Sequence, residues 1–320
     1  MKTTVKKFLY GILDVLLIPF SFIFLPFLKL IRRLGVEYFP LHRKAFTTVG
    51  VFPLHHHYYE PQIRYSKQFD AKLKRPLPLD FDIPSQLQSL ESFLYTEEIR
   101  GFSKKYISGN TFYLDNGSFG PGDAELYYLL IRNTRPKKII EIGSGFSTLL
   151  AVKAITKNSE EGFITELTCI EPYEKSWLDQ LPGITVIRER VEKMNLSLFH
   201  SLQENDILFI DSSHIIRPEN DVLFIYMQLL PSLNAGVRIH IHDIFSPRHY
   251  RADWLTKMYR FWNEQYLLEA FLYNNSAFRI LYSLNYLKND FYAETRHTLM
   301  HITADDEPSS FWLQKTDKKL

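Results

Sequence analysis

The chain has one cysteine, Cys169, in 320 residues. No disulfide can form within it, which fits a reducing compartment. Cys169 lies in an apolar run that reads as a strand, so it is taken as a small buried hydrophobe and not as a nucleophile. A charge bias is lacking too. Thirty-eight Lys and Arg against 36 Asp and Glu leave a net charge of +2, without the basic excess of a dedicated nucleic-acid binder, and no nucleic-acid partner is expected. No Gly-Lys-Ser/Thr ending follows its glycine turns, which excludes a P-loop. No internal repeat is evident. Apolar residues, by contrast, are plentiful: 45% of the chain is hydrophobic and 15% aromatic, enough to core one large domain or two smaller ones.

The one long hydrophobic run is N-terminal. Phe8 to Leu30 is broken mainly by Asp14, Pro19, Pro26 and Lys29. As a helix it reaches roughly 35 Å, enough to cross a bilayer's hydrocarbon core. A cleaved secretory signal is not expected, because the run is long and Ile31-Arg32-Arg33 follows it instead of small residues. Lys2, Lys6 and Lys7 precede the run, and Lys29, Arg32, Arg33, Arg43 and Lys44 end or follow it. This bias favours a cytoplasmic catalytic part on a membrane-associated chain. Pro19 and Pro26 each remove a helix hydrogen bond, and Asp14 is costly in hydrocarbon. A single span, an interfacial or re-entrant anchor and a buried helix of a soluble protein therefore all stand, the span foremost.

Lys137 to Thr148 carries the chemistry. It reads as a buried strand, an Ile142-Gly143-Ser144-Gly145 turn and the start of a helix. Such a turn offers backbone N–H groups at a helix start and lets a ligand approach the backbone closely. Twenty-eight residues after Gly143, a second apolar strand ends on Glu171, placed to accept the hydroxyls of a ribose. A dinucleotide fingerprint needs a third glycine where Thr148 stands. Two carboxylates, Glu141 and Glu171, repel a polyphosphate but suit a cationic ligand.

This ordered set resembles the class I S-adenosylmethionine (SAM) dependent methyltransferases over roughly residues 116 to 320. The resemblance implies a doubly wound, mostly parallel seven-stranded α/β sheet of Rossmann-like type, with an antiparallel strand inserted near its end. It implies SAM as cofactor, held by Glu141, Gly143, Ser144, Gly145, Ser147, Glu171 and Asp211, with Glu192 near the adenine. The pattern agrees: strands are expected near 138–142, 167–171, 184–189, 207–211, 237–242, 278–285 and 310–316. Helices are expected near 146–157, 173–180, 195–203, 219–232, 251–272 and 288–298. The chain then divides into an anchor helix (1–33), a connecting, substrate-side region rich in proline and aromatics (34–115), and the methyltransferase domain (116–320). Within the connecting region Pro84 to Gly101 reads as helical, and Asp123 as a capping charge for the helix that follows.

The fourth strand ends Asp211-Ser212-Ser213-His214 and the fifth ends His242-Asp243. His214, His242 and Asp243 are the candidate catalytic residues: a histidine titrates near neutrality and can take a proton from an acceptor hydroxyl. Asp211, His242 and Asp243 are alternatively candidate ligands of a divalent cation, which lowers a hydroxyl's pKa. The resemblance supports acids after these two strands, but the usual acid pair after strand five is His242-Asp243 here. Asp211 can equally cap its turn, and His240, on the same side of the strand as His242, can be structural. His57, Tyr58 and Glu60 of the His55–Glu60 run are candidates for a wall of the acceptor pocket, and Arg248, His249 and Tyr250 for its cover.

The expected activity is O-methylation of a small-molecule, sugar or lipid-linked acceptor at the membrane, which residues 8–30 engage. No Asn/Asp-Pro-Pro-Tyr motif of nitrogen methylation occurs. An NAD(P)-dependent oxidoreductase on a similar sheet and a non-catalytic membrane-associated binding protein are the alternatives. No pattern in the chain encodes the oligomeric state.

Overall fold

The computed structural model describes residues 2–51, 54, 57, 60, 69–173 and 176–317, and divides into two compact units at Phe69/Asp70. In the first unit, α1 (Lys2–Leu34) runs unbroken through Pro19 and Pro26. Within Val5–Leu34 an 18-residue window has a mean hydropathy of 2.2 and no buried residue, so the helix is long and apolar enough to cross a membrane. Gly35, at φ 98°, ends it, and a short 3₁₀ turn leads to α2 (Pro40–Val49). His57 and Glu60 belong to this unit; His55, His56, Tyr58 and Tyr59 lie outside the described residues.

The second unit is built on one seven-stranded sheet. Its strands are β1 (Lys138–Ile142), β2 (Glu166–Ile170), β3 (Ile184–Ile187), β4 (Ile207–Ile210), β5 (Arg238–Ile241), β6 (Phe278–Ser283) and β7 (Phe311–Lys315), in the order β3-β2-β1-β4-β5-β7-β6. The first five are parallel, and β7 inserts antiparallel between β5 and β6. The central strands are apolar on both faces because both are covered. Ile139, Leu167, Ile207 and Phe209 face one core, while Ile140, Ile170, Leu208 and Ile239 face the other.

The helices around the sheet are α3 (Ile83–Glu91), α4 (Thr96–Arg100), α5 (Asp123–Thr134), α6 (Phe146–Glu160), α7 (Asp221–Phe224), α8 (Leu230–Ser232), α9 (Ala252–Thr256), α10 (Glu264–Leu272), α11 (Leu284–Asp290) and α12 (Tyr292–Thr298). Residues 70–115 belong to this unit: Leu90, Ile99, Phe102, Phe112 and Leu114 join the core under α5 and α6.

Register sets up everything at the carboxyl edge. Ile142 pairs with both Ile170 and Ile210, and Ile210 pairs with Ile241. Gly143, Glu171, Asp211 and His242 therefore leave the sheet in one row. The chain steps outward from β1 to β3 and returns to β4 on the other side of β1, so this row lies at a topological switch point, where such sheets bind ligands.

Several helices differ from the periodicity. The 173–180 and 195–203 stretches carry 3₁₀ turns, Leu178–Gln180 and Leu196–Ser201. The helix expected over Pro84 to Gly101 is interrupted after Glu91, and Tyr95, which precedes α4, adopts a positive φ of 59°. A π-helical turn, Ile225–Leu229, separates α7 from α8. The 251–272 helix splits into α9 and α10: α9 stops at Thr256, Tyr259 takes a positive φ of 52°, and α10 starts where the amides of Asn263 and Glu264 bond the His214 carbonyl, at 2.9 and 3.2 Å. Tertiary hydrogen bonds override local pattern at such points.

Asp123 acts across the fold. Gly122 caps α5, and its N–H donates to Glu125 Oε2 at 2.9 Å. The buried Asp123 carboxylate instead accepts the amides of Ser309 and Ser310, at 3.0 and 2.7 Å, fixing the segment that leads into β7. Asp123→Ala leaves two buried amides unpaired and is expected to lower stability by about 2–4 kcal/mol. Asp123→Asn, which keeps an acceptor oxygen, should cost clearly less. Urea denaturation of both variants checks this.

Candidate functional site

The glycine turn is shaped by its neighbours. Gly143 has φ +80°, and a Cβ there would lie 2.2 Å from the Asp211 carbonyl oxygen. Glycine is required because the exits of β1 and β4 touch, as well as for its backbone conformation. Ser144 N–H donates across the turn to Glu171 Oε2 at 3.1 Å, and Tyr173 N–H donates to Glu171 Oε1 at 3.0 Å. Gly145 N–H donates to Thr148 Oγ1 at 3.0 Å, and that hydroxyl donates to Glu141 Oε2 at 2.5 Å. Thr148 thus closes the first turn of α6 where a dinucleotide fingerprint would need its third glycine.

Glu141 is wholly buried beneath the turn, against Thr148 and Cys169. Burial raises its pKa to about 7, against the opposing bonds from Thr148, Ser147 and Cys169. It supports the turn from below and borders neither cavity beside it.

Those two cavities meet at Asp211. One, of about 530 Å³, is lined by Gly143, Glu171, Arg190, Glu192 and Asp211. The other, of about 420 Å³, is lined by Ser144, Gly145, Ser147, Tyr113, Trp177 and Asp211. Apart from Glu141, the cofactor residues expected from sequence all border one or both. Tyr113 and Trp177 carried no sequence signal for this role; an aromatic in a loop is indistinguishable from core until the loop is placed.

Next to Asp211, an imidazole sits among acids. His214 Nε2 is 3.2 Å from Asp211 Oδ1 and 3.5 Å from Asp243 Oδ2, and its Nδ1 is 2.8 Å from Glu264 Oε2. His214 and Asp243 both adopt positive φ, 60° and 58°, a strained conformation for such residues that surrounding structure must enforce. Burial alone would lower the His214 pKa, but its bonds to Asp211 and Glu264, with the charges of Glu264 and Asp243, raise it well above the ordinary value. Desolvation by the protein packed around the Asp211 carboxyl, whose outer side stays open, pushes its pKa up, but His214 and the other histidine charges outweigh this and hold it at about 2. His242 is raised as well, against burial, by Asp243, Asp211 and Asp123.

Candidate ligand atoms of Asp211, His214 and Asp243 lie within 4.8 Å of one another. Two carboxylates and an imidazole suit a hard-to-borderline divalent cation, and the Asp211 side chain is 46% exposed, leaving room for further ligands. The structure brings His214 into this group in the place expected of His242. The His242 Nε2 is 3.7 Å from Asp243 Oδ1, and its ring lies against Phe119 and His240. His240 is fully buried, stacks on Phe209 at 4.0 Å and bonds Ser310 Oγ at 2.8 Å. Burial depresses its pKa and so favours the neutral ring. Tyr250 and His249 pack on α10: the Tyr250 hydroxyl accepts Gln265 N–H, and His249 Nδ1 is 2.9 Å from the Tyr266 hydroxyl.

Two predictions follow from the turn. Gly143→Ala forces the Asp211 backbone to move and is expected to destabilise by about 2–4 kcal/mol, read as a lower Tm. Glu141 titrates from about 7 when folded against an ordinary 4.5. Its contribution is therefore full below pH 4.5 and is lost as pH rises through 7, amounting to about 3 kcal/mol. Glu141→Gln should flatten the decline in stability between pH 5 and 8, measured by denaturation across that range.

Residues 140–244 match the family model described as a methyltransferase domain. An uncharacterized protein of Archaeoglobus fulgidus is 29% identical over 170 residues, spanning 49% of this chain and 76% of its own length. Among solved structures, the O-methyltransferase TomG of Streptomyces achromogenes, in complex with SAM, is 13% identical with a TM-score of 0.39, covering 72% of this chain and 89% of its own. The O-methyltransferase of Bacillus cereus is 11% identical with a TM-score of 0.37, covering 73% and 91%. The matched segment runs from β1 to the loop after β5, the part of the sheet whose strand ends form the row of Gly143, Glu171, Asp211 and His242, and over this segment the chain is similar to methyltransferase domains.

Proposed function

We propose that this chain is a SAM-dependent methyltransferase that acts on a hydroxyl group of a small-molecule, sugar or lipid-linked acceptor, at a membrane that α1 engages, with the catalytic domain on the cytoplasmic side. The observation that carries the reading is the position of Asp211. It borders both cavities and stands in one cluster with His214 and Asp243. A nitrogen acceptor needs no such concentration of proton-accepting groups.

SAM supplies the methyl group when bound. Glu171 is assigned to the ribose hydroxyls, Gly143 and Asp211 to the floor between the cavities, and Ser144, Gly145 and Ser147 to the amino-acid end. Arg190 and Glu192 line the far side of the larger cavity, which supports the adenine assignment of Glu192. Asp211, His214 and Asp243 are the residues that would hold a divalent cation, which would lower the pKa of an acceptor hydroxyl there. The chain's own part is to place an acceptor beside the cofactor site, where proximity accounts for much of the acceleration, and to take up its proton. The acids around His214 and His242 make each, once deprotonated, a stronger base than an ordinary histidine.

The anchor at 1–33 and the substrate-side role of 34–115 belong to the same proposal. Tyr106 and Tyr113, from residues 70–115, border the smaller cavity, which supports that role. The exposed apolar surface of Val5–Leu34 supports membrane attachment.

Calorimetric titration of the full chain with S-adenosylhomocysteine tests the cofactor assignments. Glu171→Ala should weaken binding by roughly 10–100-fold, the loss of a carboxylate's hydrogen bonds to two hydroxyls. Asp243→Asn should keep that affinity and lose turnover of SAM by membrane extracts. If a histidine is the base, the acid limb of the rate profile lies above pH 6.5, because the raised pKa keeps it protonated until then. Native S-adenosylhomocysteine affinity in Glu171→Ala, or full turnover in Asp243→Asn, would sink the assignment.

A further inference from the structure

Glu264 opens α10 and is completely buried. A carboxylate out of water costs several kcal/mol unless charges and hydrogen bonds compensate it. Its Oε2 accepts the Ser212 hydroxyl at 2.6 Å and faces His214 Nδ1 at 2.8 Å. It also sits in the first turn of its helix, where the exposed amides favour negative charge.

The same helix start holds the His214 backbone. The amides of Asn263 and Glu264 donate to the His214 carbonyl at 2.9 and 3.2 Å, and Ile216 N–H donates to Asn263 Oδ1 at 2.7 Å. His214 N–H donates to Ser212 Oγ at 3.1 Å, and Trp262 covers the ring at a centroid distance of 4.3 Å. Every polar group of His214 other than Nε2 is thereby engaged from residue 212 or from residues 263–264. The positive φ of His214 is the conformation these bonds enforce.

We infer that Glu264 is the positioning residue of this site: it takes Nδ1 and so aims Nε2 of His214 at the space between Asp211 and Asp243. The inference rests on the reading of that cluster as the acceptor centre. Capping α10 does not require the carboxylate, since the His214 carbonyl already takes the first two amides of the helix. The carboxylate is needed to choose the ring orientation, because an imidazole can present either nitrogen and the unused one is set by the partner of the other.

The test uses the full chain in detergent micelles, with Glu264→Gln and Glu264→Ala, and three readouts. Ring ¹⁵N NMR, assigned with His214→Gln, is expected to show the His214 resonances displaced in Glu264→Ala and less so in Glu264→Gln, which keeps an acceptor oxygen for Nδ1–H. Mn²⁺ alone, followed by its electron paramagnetic resonance, is expected to bind 10–100-fold more weakly to Glu264→Ala, with partial rescue in Glu264→Gln. Titration with S-adenosylhomocysteine should agree with the wild type within about twofold, as for a group that touches no cofactor. Unchanged His214 resonances in both variants overturn the inference, as does loss of S-adenosylhomocysteine binding by both with intact thermal transitions. If the alanine variant does not fold, the glutamine variant alone decides, on the His214 resonances. A wild type that binds no S-adenosylhomocysteine defeats the cofactor reading, and one that binds no Mn²⁺ defeats the cation reading. In either case the ring resonances still decide the role of Glu264.

Discussion

Gly143 and Asp211 share a space that a single methyl group would overfill. The close passage of the β1 and β4 exits is the constraint on which the site depends. It joins the glycine turn to the acid cluster, so the groups assigned to the cofactor and those assigned to the acceptor meet at one residue. The pairing of Ile142 with Ile170 and Ile210 makes that passage level. A slip of one residue in either ladder would turn every side chain to the opposite face and dissolve the row.

The region behind this row is unusually rich in buried ionisable groups. Glu141, Asp123 and Glu264 are buried acids with different partners. Burial pushes both Glu141 and Asp123 toward their neutral forms. Asp123 opposes that push with two backbone amides. Glu264 takes a serine hydroxyl and an imidazole. His240, the one histidine here without a close carboxylate partner, is pushed toward its neutral form, and His214 and His242 are pushed toward their charged forms by the acids around them. The same residue type on adjacent positions thus acquires opposite character from burial and neighbours alone.

The architecture was largely legible in the chain. Apolar runs bounded by turn residues marked the strands, and their alternation with helices called for a parallel sheet. The expected edge insertion appears as β7 between β5 and β6. The failures cluster where tertiary bonds replace local ones. The 251–272 periodicity has no glycine or proline to break it, yet the helix stops at Thr256 and starts again only at Glu264, where the amides of Asn263 and Glu264 bond the carbonyl of His214, fifty residues earlier. Glu264 carries no sequence signal: within an apolar helical pattern an acid looks like a solvent-facing residue, and only packing buries it.

By itself the sequence determined the sheet, the glycine turn with its acid on the next strand, the histidines and acids after β4 and β5, and a membrane-length apolar helix. These depend on periodicity and on residue types at strand ends, which are local properties. The tertiary structure decided which side chains share a point in space. It set Glu141 under the turn, put His214 and not His242 between Asp211 and Asp243, consigned His240 to an aromatic core, and brought in Glu264. Those outcomes depend on register, on strained loop conformations and on desolvation, which arise only once distant segments are packed together.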